Sequence, residues 1–192
     1  MARRKEFDPE RALTKAMDLF WRQGYESTSV DQLLRAMGIA RQSLYVTFGD
    51  KRALYLKALV HYRDQTNEAG RKMLEQIPTV KDGFAKLLYD IATETREQHE
   101  RGCLLLSANL QREAGDAAVA EILRENQKQV EAIFESALLR ARKQKELSST
   151  IGPQPLARFF VVTIQGMRSM ARLNSDRRAL EEVARVALAV FR

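Results

Sequence analysis

GIARQSLYVTF, residues 38–48, is the stretch on which the reading of this chain turns. Gly38 ends one apolar period, and a short helix is expected from about Ala40 to Thr47. Leu44 and Phe48 lie four apart on one face of it, with Ile39 just before. The other faces carry Arg41, Gln42, Ser43, Tyr45 and Thr47. Such a helix buries two large side chains and offers hydrogen-bonding groups almost everywhere else.

The flanking sequence supplies the rest of the unit. Asp8-Pro9-Glu10 is a helix start, with a capping side chain, proline at the first helical position and acid in the first turn. Leu13, Ala16, Met17 and Phe20 follow at helical spacing, and Gly24 closes the segment. Ser29 opens a second helix, and Gln32 three residues on completes a capping box. Its apolar face is Val30, Leu33, Leu34 and Met37. Two helices joined by a tight glycine turn, the second short and polar, form a helix-turn-helix. Leu44 and Phe48 are expected to lock onto Met17, Phe20, Leu33 and Leu34, leaving the polar groups free for a partner. Arginine pairs with guanine and glutamine with adenine in the major groove. Tyrosine and threonine hydroxyls suit phosphate oxygens. Lys51 and Arg52 begin the next helix and place positive charge beside its N-terminal amides, a seat for phosphate. Thr28 and Ser29 offer a second such seat. A solvated surface helix is the competing reading of the polar face.

Composition agrees with a partner of negative charge. The chain has 192 residues and a formal net charge of +7, which points toward a polyanion such as double-stranded DNA. Only four prolines and nine glycines interrupt a sequence rich in helix formers. One cysteine excludes an internal disulfide framework. MARRKEFDPE carries charge but no apolar stretch, so no secretory signal is read and a cytoplasmic location is expected. FFVVTI (159–164) and VALAVF (186–191) are too short to span a bilayer, so no membrane partner is expected.

Beyond Asp50, which caps a helix running to about Gln76, the sequence predicts helices over 79–98, 103–113, 117–146, 155–174 and from Asp176 onward. The fold class is all-α with about nine helices. An N-terminal domain of residues 1–56 and a larger helical domain of residues 57–192 are expected. The segment joining them is continuous helix, so it reads as a coupling element.

Residues 8–56 resemble the DNA-binding domain of the TetR family of transcriptional regulators. The matching pieces are FWRQGYESTSVDQLL and AMGIARQSLYVTFGDKRALYLKAL. The family pattern of a glycine turn, a polar triplet, Leu-Tyr, two variable residues, an apolar residue and a lysine is met by Gly38, Arg41-Gln42-Ser43, Leu44-Tyr45, Val46-Thr47, Phe48 and Lys51. One departure is Ala40, where the family often has a Ser or Thr cap; the weaker cap costs about 1 kcal/mol at most. The resemblance implies that Arg41, Gln42 and Ser43 approach bases, and that Tyr45, Thr47 and Lys51 meet the backbone. It also implies an all-α, homodimeric, non-enzymatic regulator, a repressor by family default, that is released from a palindromic operator by a small-molecule effector and needs no cofactor. Arg3, Arg4 and Lys5 form either an arm toward the minor groove or a plain tail.

The last two helices are apolar over much of their circumference, which suggests that a second copy covers part of them. Phe159, Met167, Leu180, Val183, Ala187 and Phe191 are the expected dimer contacts. Leu59, Tyr62, Phe84, Leu88, Ile91, Leu105, Phe134 and Phe160 are chosen from predicted inward faces as the lining of an effector pocket, with plain core packing as the alternative. Cys103, at a predicted helix start two residues after Arg101, reads either as a redox- or electrophile-sensing thiol, as some relatives with Gly-Cys-Leu at this point are, or as a small buried hydrophobe. His61 and His99 are isolated and have no metal-ligand spacing, so no metal is expected. Arg140, Arg142, Lys143 and Lys145 suit the negative end of a long helix.

Two rivals come from other classes. A helical enzyme would need a motif such as GxxxxGK[ST], HExxH, GxSxG or CxxC, and the sequence has none. A helical interaction protein that does not bind DNA would leave the block from Arg41 to Lys51 without a purpose.

Overall fold

The structure, a computed structural model, describes residues 7–111, 116–148 and 150–192. Arg3, Arg4 and Lys5 lie outside the described residues. Among those described, ten α-helices account for the regular structure: α1 (Pro9–Gln23), α2 (Val30–Met37), α3 (Arg41–Phe48), α4 (Lys51–Gln76), α5 (Val80–Thr93), α6 (Arg96–Arg101), α7 (Leu104–Gln111), α8 (Ala117–Lys143), α9 (Pro153–Asn174) and α10 (Arg177–Leu188). The chain is all-α, as its shortage of breakers demands.

Most boundaries follow from local chemistry. The Asp8 carboxylate accepts from the Glu10 and Arg11 amides at 2.9 and 3.3 Å, with Pro9 opening α1. At α2 the Gln32 amide donates to Ser29 Oγ at 3.2 Å, and Gln32 Oε1 accepts from the Ser29 amide at 2.7 Å. Gly38 ends α2 in the left-handed region, at φ 72° and ψ 36°, where a Cβ would be strained. Ala40 precedes α3 with no side-chain cap, as expected from its methyl group. Asp50 caps α4 through the Ala53 amide at 2.7 Å.

One expected helix is divided in the structure. The helix read over 79–98 is two helices, which raises the total to ten. Glu94 is extended at φ −55° and ψ 146°, and Thr95 with Gln98 forms a second capping box that starts α6. The Thr-x-x-Gln signal was present in the sequence but was masked by the helix formers around it.

The chain forms two compact units. The first comprises Met1–Gln65 and Cys103–Leu123. Phe20, Leu33, Leu44, Leu54 and Leu59 are fully buried in its core, and Leu104, Leu105 and Ala108 of α7 and Val119 of α8 pack into the same cluster. The helix-turn-helix core therefore continues past residue 56 and includes α7, which lies about fifty residues further along the chain. The second unit comprises Thr66–Gly102 and Arg124–Arg192. Phe84 is at its centre, with ring centroids 5.2 Å from Phe134, 4.2 Å from Phe160 and 5.7 Å from Phe191. A Cβ at Gly83 would meet Leu74 Cδ2 at 2.8 Å, so glycine there permits the close approach of α5 to the end of α4. His99 is buried in this unit and its Nε2–H donates to the Ile91 carbonyl at 2.7 Å, a packing role.

Candidate nucleic-acid interface

The α3 helix is held by its two apolar anchors. Leu44 and Phe48 are buried in the first core, Arg41, Gln42, Tyr45 and Val46 are exposed, and Ser43 and Thr47 are half-buried. At about 100° per residue, Gln42 and Val46 lie nearly opposite the buried pair. Arg41, Gln42, Tyr45 and Val46 thus form the outward surface of a helix that cannot rotate without exposing Leu44 and Phe48.

Arg41 is not fully free for a base. Its guanidinium meets the Asp31 carboxylate of α2 at 2.5 Å, with both side chains exposed. An exposed pair of this kind is worth little, on the order of 0–1 kcal/mol, so it orients Arg41 without locking it. Nothing in the sequence spacing made Asp31 an obvious partner, because the pair forms across the turn between helices.

The flanking phosphate seats come out unequal. Ser29 is exposed at the start of α2. Thr28 is fully buried, and its hydroxyl donates to the Gly24 carbonyl at 2.6 Å. Its assignment as a DNA contact is corrected: the side chain ties the α1–α2 turn together and does not face solvent. At α4, Asp50 already occupies the Ala53 amide. Arg52 turns away to Asp116 at 2.5 Å, so it is not the second phosphate cation expected beside Lys51. That ion pair raises the Arg52 pKa. Lys51 remains, its Nζ 4.3 Å from the centre of the Tyr25 ring, a cation–π contact that leaves it half-exposed. Burial pushes the neighbouring Tyr55 phenol up to about 12 against the opposing pull of Arg52, so it stays neutral.

The other residues singled out from the sequence are core or surface of their own units. Leu59, Tyr62 and Leu105 pack in the first core. Phe84, Leu88, Ile91, Phe134 and Phe160 pack in the second. All eight are core side chains of their own units, three in the first and five in the second. Cys103 is half-buried at the start of α7, where its carbonyl accepts from the Ser107 amide at 2.9 Å, and it packs against the first core.

The expected dimer residues also divide. Met167, Leu180, Ala187 and Phe191 are buried in the core of the second unit, so they are corrected from contacts to core. Phe159 and Val183 are exposed. The apolar surface runs instead along Phe159, Val162, Met170 and Leu173 of α9 and Val183 and Val186 of α10. Gly166 lies in the same stripe with open space where a Cβ would be. Among the described residues, no cluster of His, Cys, Asp or Glu is placed to hold a metal ion, and no helix is long and apolar enough to cross a membrane.

The chain is similar to known regulators. The family model for bacterial regulatory proteins of the tetR family matches residues 12–58, and that for the tetracyclin repressor-like C-terminal domain matches residues 84–187. An HTH-type transcriptional regulator of Bacillus subtilis (strain 168), YezE, is 32% identical over the full length of both chains. The HTH-type transcriptional repressor ComR of Escherichia coli (strain K12) is 29% identical, covering 98% of this chain and 91% of its own. The solved structure of a cysteine mutant of the TetR family regulator CifR, complexed with 26-bp double-strand operator DNA, superposes with a TM-score of 0.82 at 31% identity over the whole of both chains. These relatives are transcriptional regulators, which sets the enzyme reading aside. The helix-turn-helix with its appended helical region, matched along nearly its whole length, places this chain in the TetR family of bacterial regulatory proteins.

Proposed function

We propose that this protein is a homodimeric repressor that binds a palindromic operator in double-stranded DNA through α3 and is released by a small-molecule effector. The observation that carries the reading is the outward surface of α3, where Arg41, Gln42, Tyr45 and Val46 are exposed on a helix clamped by Leu44 and Phe48. The operator complex of CifR and the repressor ComR support it. The apolar stripe on α9 and α10 supports the dimer, and a two-fold dimer would present two α3 helices to half-sites about 34–36 Å apart. Because α4 is one unbroken helix of 26 residues that begins beside α3, an effector that favours a different α4 orientation would move the two reading helices out of register. It need only bind that state more tightly to release DNA. The packing of Cys103 against the first core favours the role of a small apolar side chain for it.

Selection from a random duplex pool tests the whole reading. A palindrome with half-sites one helical turn or a multiple apart is expected, and failure to enrich any sequence would overturn it. Within an enriched operator, Gln42→Ala should relax preference at one or two base pairs by about 1–3 kcal/mol each. Identical selected sites for variant and parent would remove Gln42 from base reading. Lys51→Ala should weaken binding to all sequences alike and reduce the slope of log affinity against log salt by about one. A changed preference at constant slope would reverse its assignment.

A further inference from the structure

The centre of the α3 outer surface is apolar. Val46 is 79% exposed, more than Tyr45 on the same helix at 49%. It stands two residues from each of the buried anchors Leu44 and Phe48, which puts it about 160–200° from both. Gln42 is its neighbour one turn earlier on the same face. Single exposed apolar side chains are ordinary on protein surfaces and need no explanation by themselves. Here the position is what counts. When a helix lies in the major groove, about 12 Å wide, its outermost line of side chains meets the base edges. A polar base edge facing Val46 would lose water and gain no hydrogen bond, at a cost. The one apolar group that the four base pairs present in that groove is the C5 methyl of thymine.

From this placement we propose that Val46 reads thymine: its two methyl groups pack on the C5 methyl of one thymine in each half-site, beside the base pair contacted by Gln42. The inference rests on α3 being the reading helix. Valine suits the task because its branched side chain is stiff and loses little rotamer freedom on docking. It also discriminates in one direction, accepting thymine and penalising a cytosine amino group that would be left without a partner.

The test uses the full chain and its selected operator, with each thymine replaced in turn by deoxyuridine. That base keeps every hydrogen-bonding group of thymine and lacks only the methyl. At one position per half-site the parent should bind about fourfold more weakly per half-site, the loss of one buried methyl. Val46→Ala, a change at an exposed helical position, should bind the thymine operator more weakly and respond little to deoxyuridine at that position. Lys51→Ala should keep the full response. Equal affinity of the parent for every deoxyuridine operator would overturn the inference, as would an undiminished response in Val46→Ala. In either case, altered base preference in Gln42→Ala would show that α3 still reads bases and that only the role of Val46 is wrong. Failure to select any operator would overturn both readings together.

Discussion

The double variant Leu173→Glu/Val186→Glu is expected to sediment as a folded monomer and to bind the proposed palindromic operator about 10²–10⁴-fold more weakly than the parent. The two side chains are 78% and 71% exposed and belong to the apolar stripe that neither unit core uses. Within one chain they stabilise almost nothing, so replacing them should leave the helical content and the thermal transition of the monomer nearly unchanged. In an isologous dimer the same patch meets its own copy. Each glutamate would then be desolvated beside apolar groups and near a like charge, which the interface cannot accommodate. Loss of the dimer turns two tethered reading heads into independent ones, and the lost effective concentration is the origin of the large factor. Half-site binding at high protein concentration should survive. A parent that is monomeric at micromolar concentration, or a variant that stays dimeric, would overturn the assignment of this face. Phe191→Asp would be the wrong probe, because Phe191 is buried beside Phe84 and Phe160 and its loss would unfold the unit.

Phe84→Ala is expected to destabilise the protein by about 3–5 kcal/mol. Phe84 is fully buried and its ring touches three others, from α8, from α9 and from the residues after α10. Removing it leaves a void walled by elements that are each held by other contacts, so the cavity cannot collapse cheaply. Phe191 is further anchored by the bridge to Leu147, and the Arg192 amide donates to the Glu146 carbonyl at 2.7 Å. For a chain of this size the loss corresponds to a fall of roughly 6–20 °C in the thermal midpoint. Phe159→Ala, one residue from Phe160 but on the exposed face, should cost far less in the monomer. Similar small losses for both would mean that the four rings are not a packed cluster.

The helix ends were legible because they are decided within one turn of chain. Asp8, Ser29, Asp50 and Asp176 each cap a neighbouring amide within three residues, and the sequence displays both partners side by side. The break at Glu94 is equally local, but a capping box inside a run of helix formers competes with the local preference for helix to continue. The outer surface of α3 was legible for the same reason as the caps: a spacing of four between Leu44 and Phe48 defines the buried side, and Gln42 and Val46 opposite it are exposed. Val46 carries no hydrogen-bonding group, so the polar pattern of α3 does not single it out.

Sequence alone determined the all-α class, the order of most helices and the polar surface of α3, since each depends on interactions between residues a few positions apart. Tertiary structure alone decided the rest. It buried Thr28 while leaving Ser29 exposed, turned Arg52 toward Asp116, and drew α7 into the helix-turn-helix core across about fifty residues of chain. It also chose which side of α9 and α10 looks inward. Those helices carry apolar residues on several faces, so hydrophobic periodicity does not single one out. Met167, Leu180, Ala187 and Phe191 are inside because the rings and helices around Phe84 close over them, and Val162, Leu173 and Val186 are outside because nothing in their own unit does.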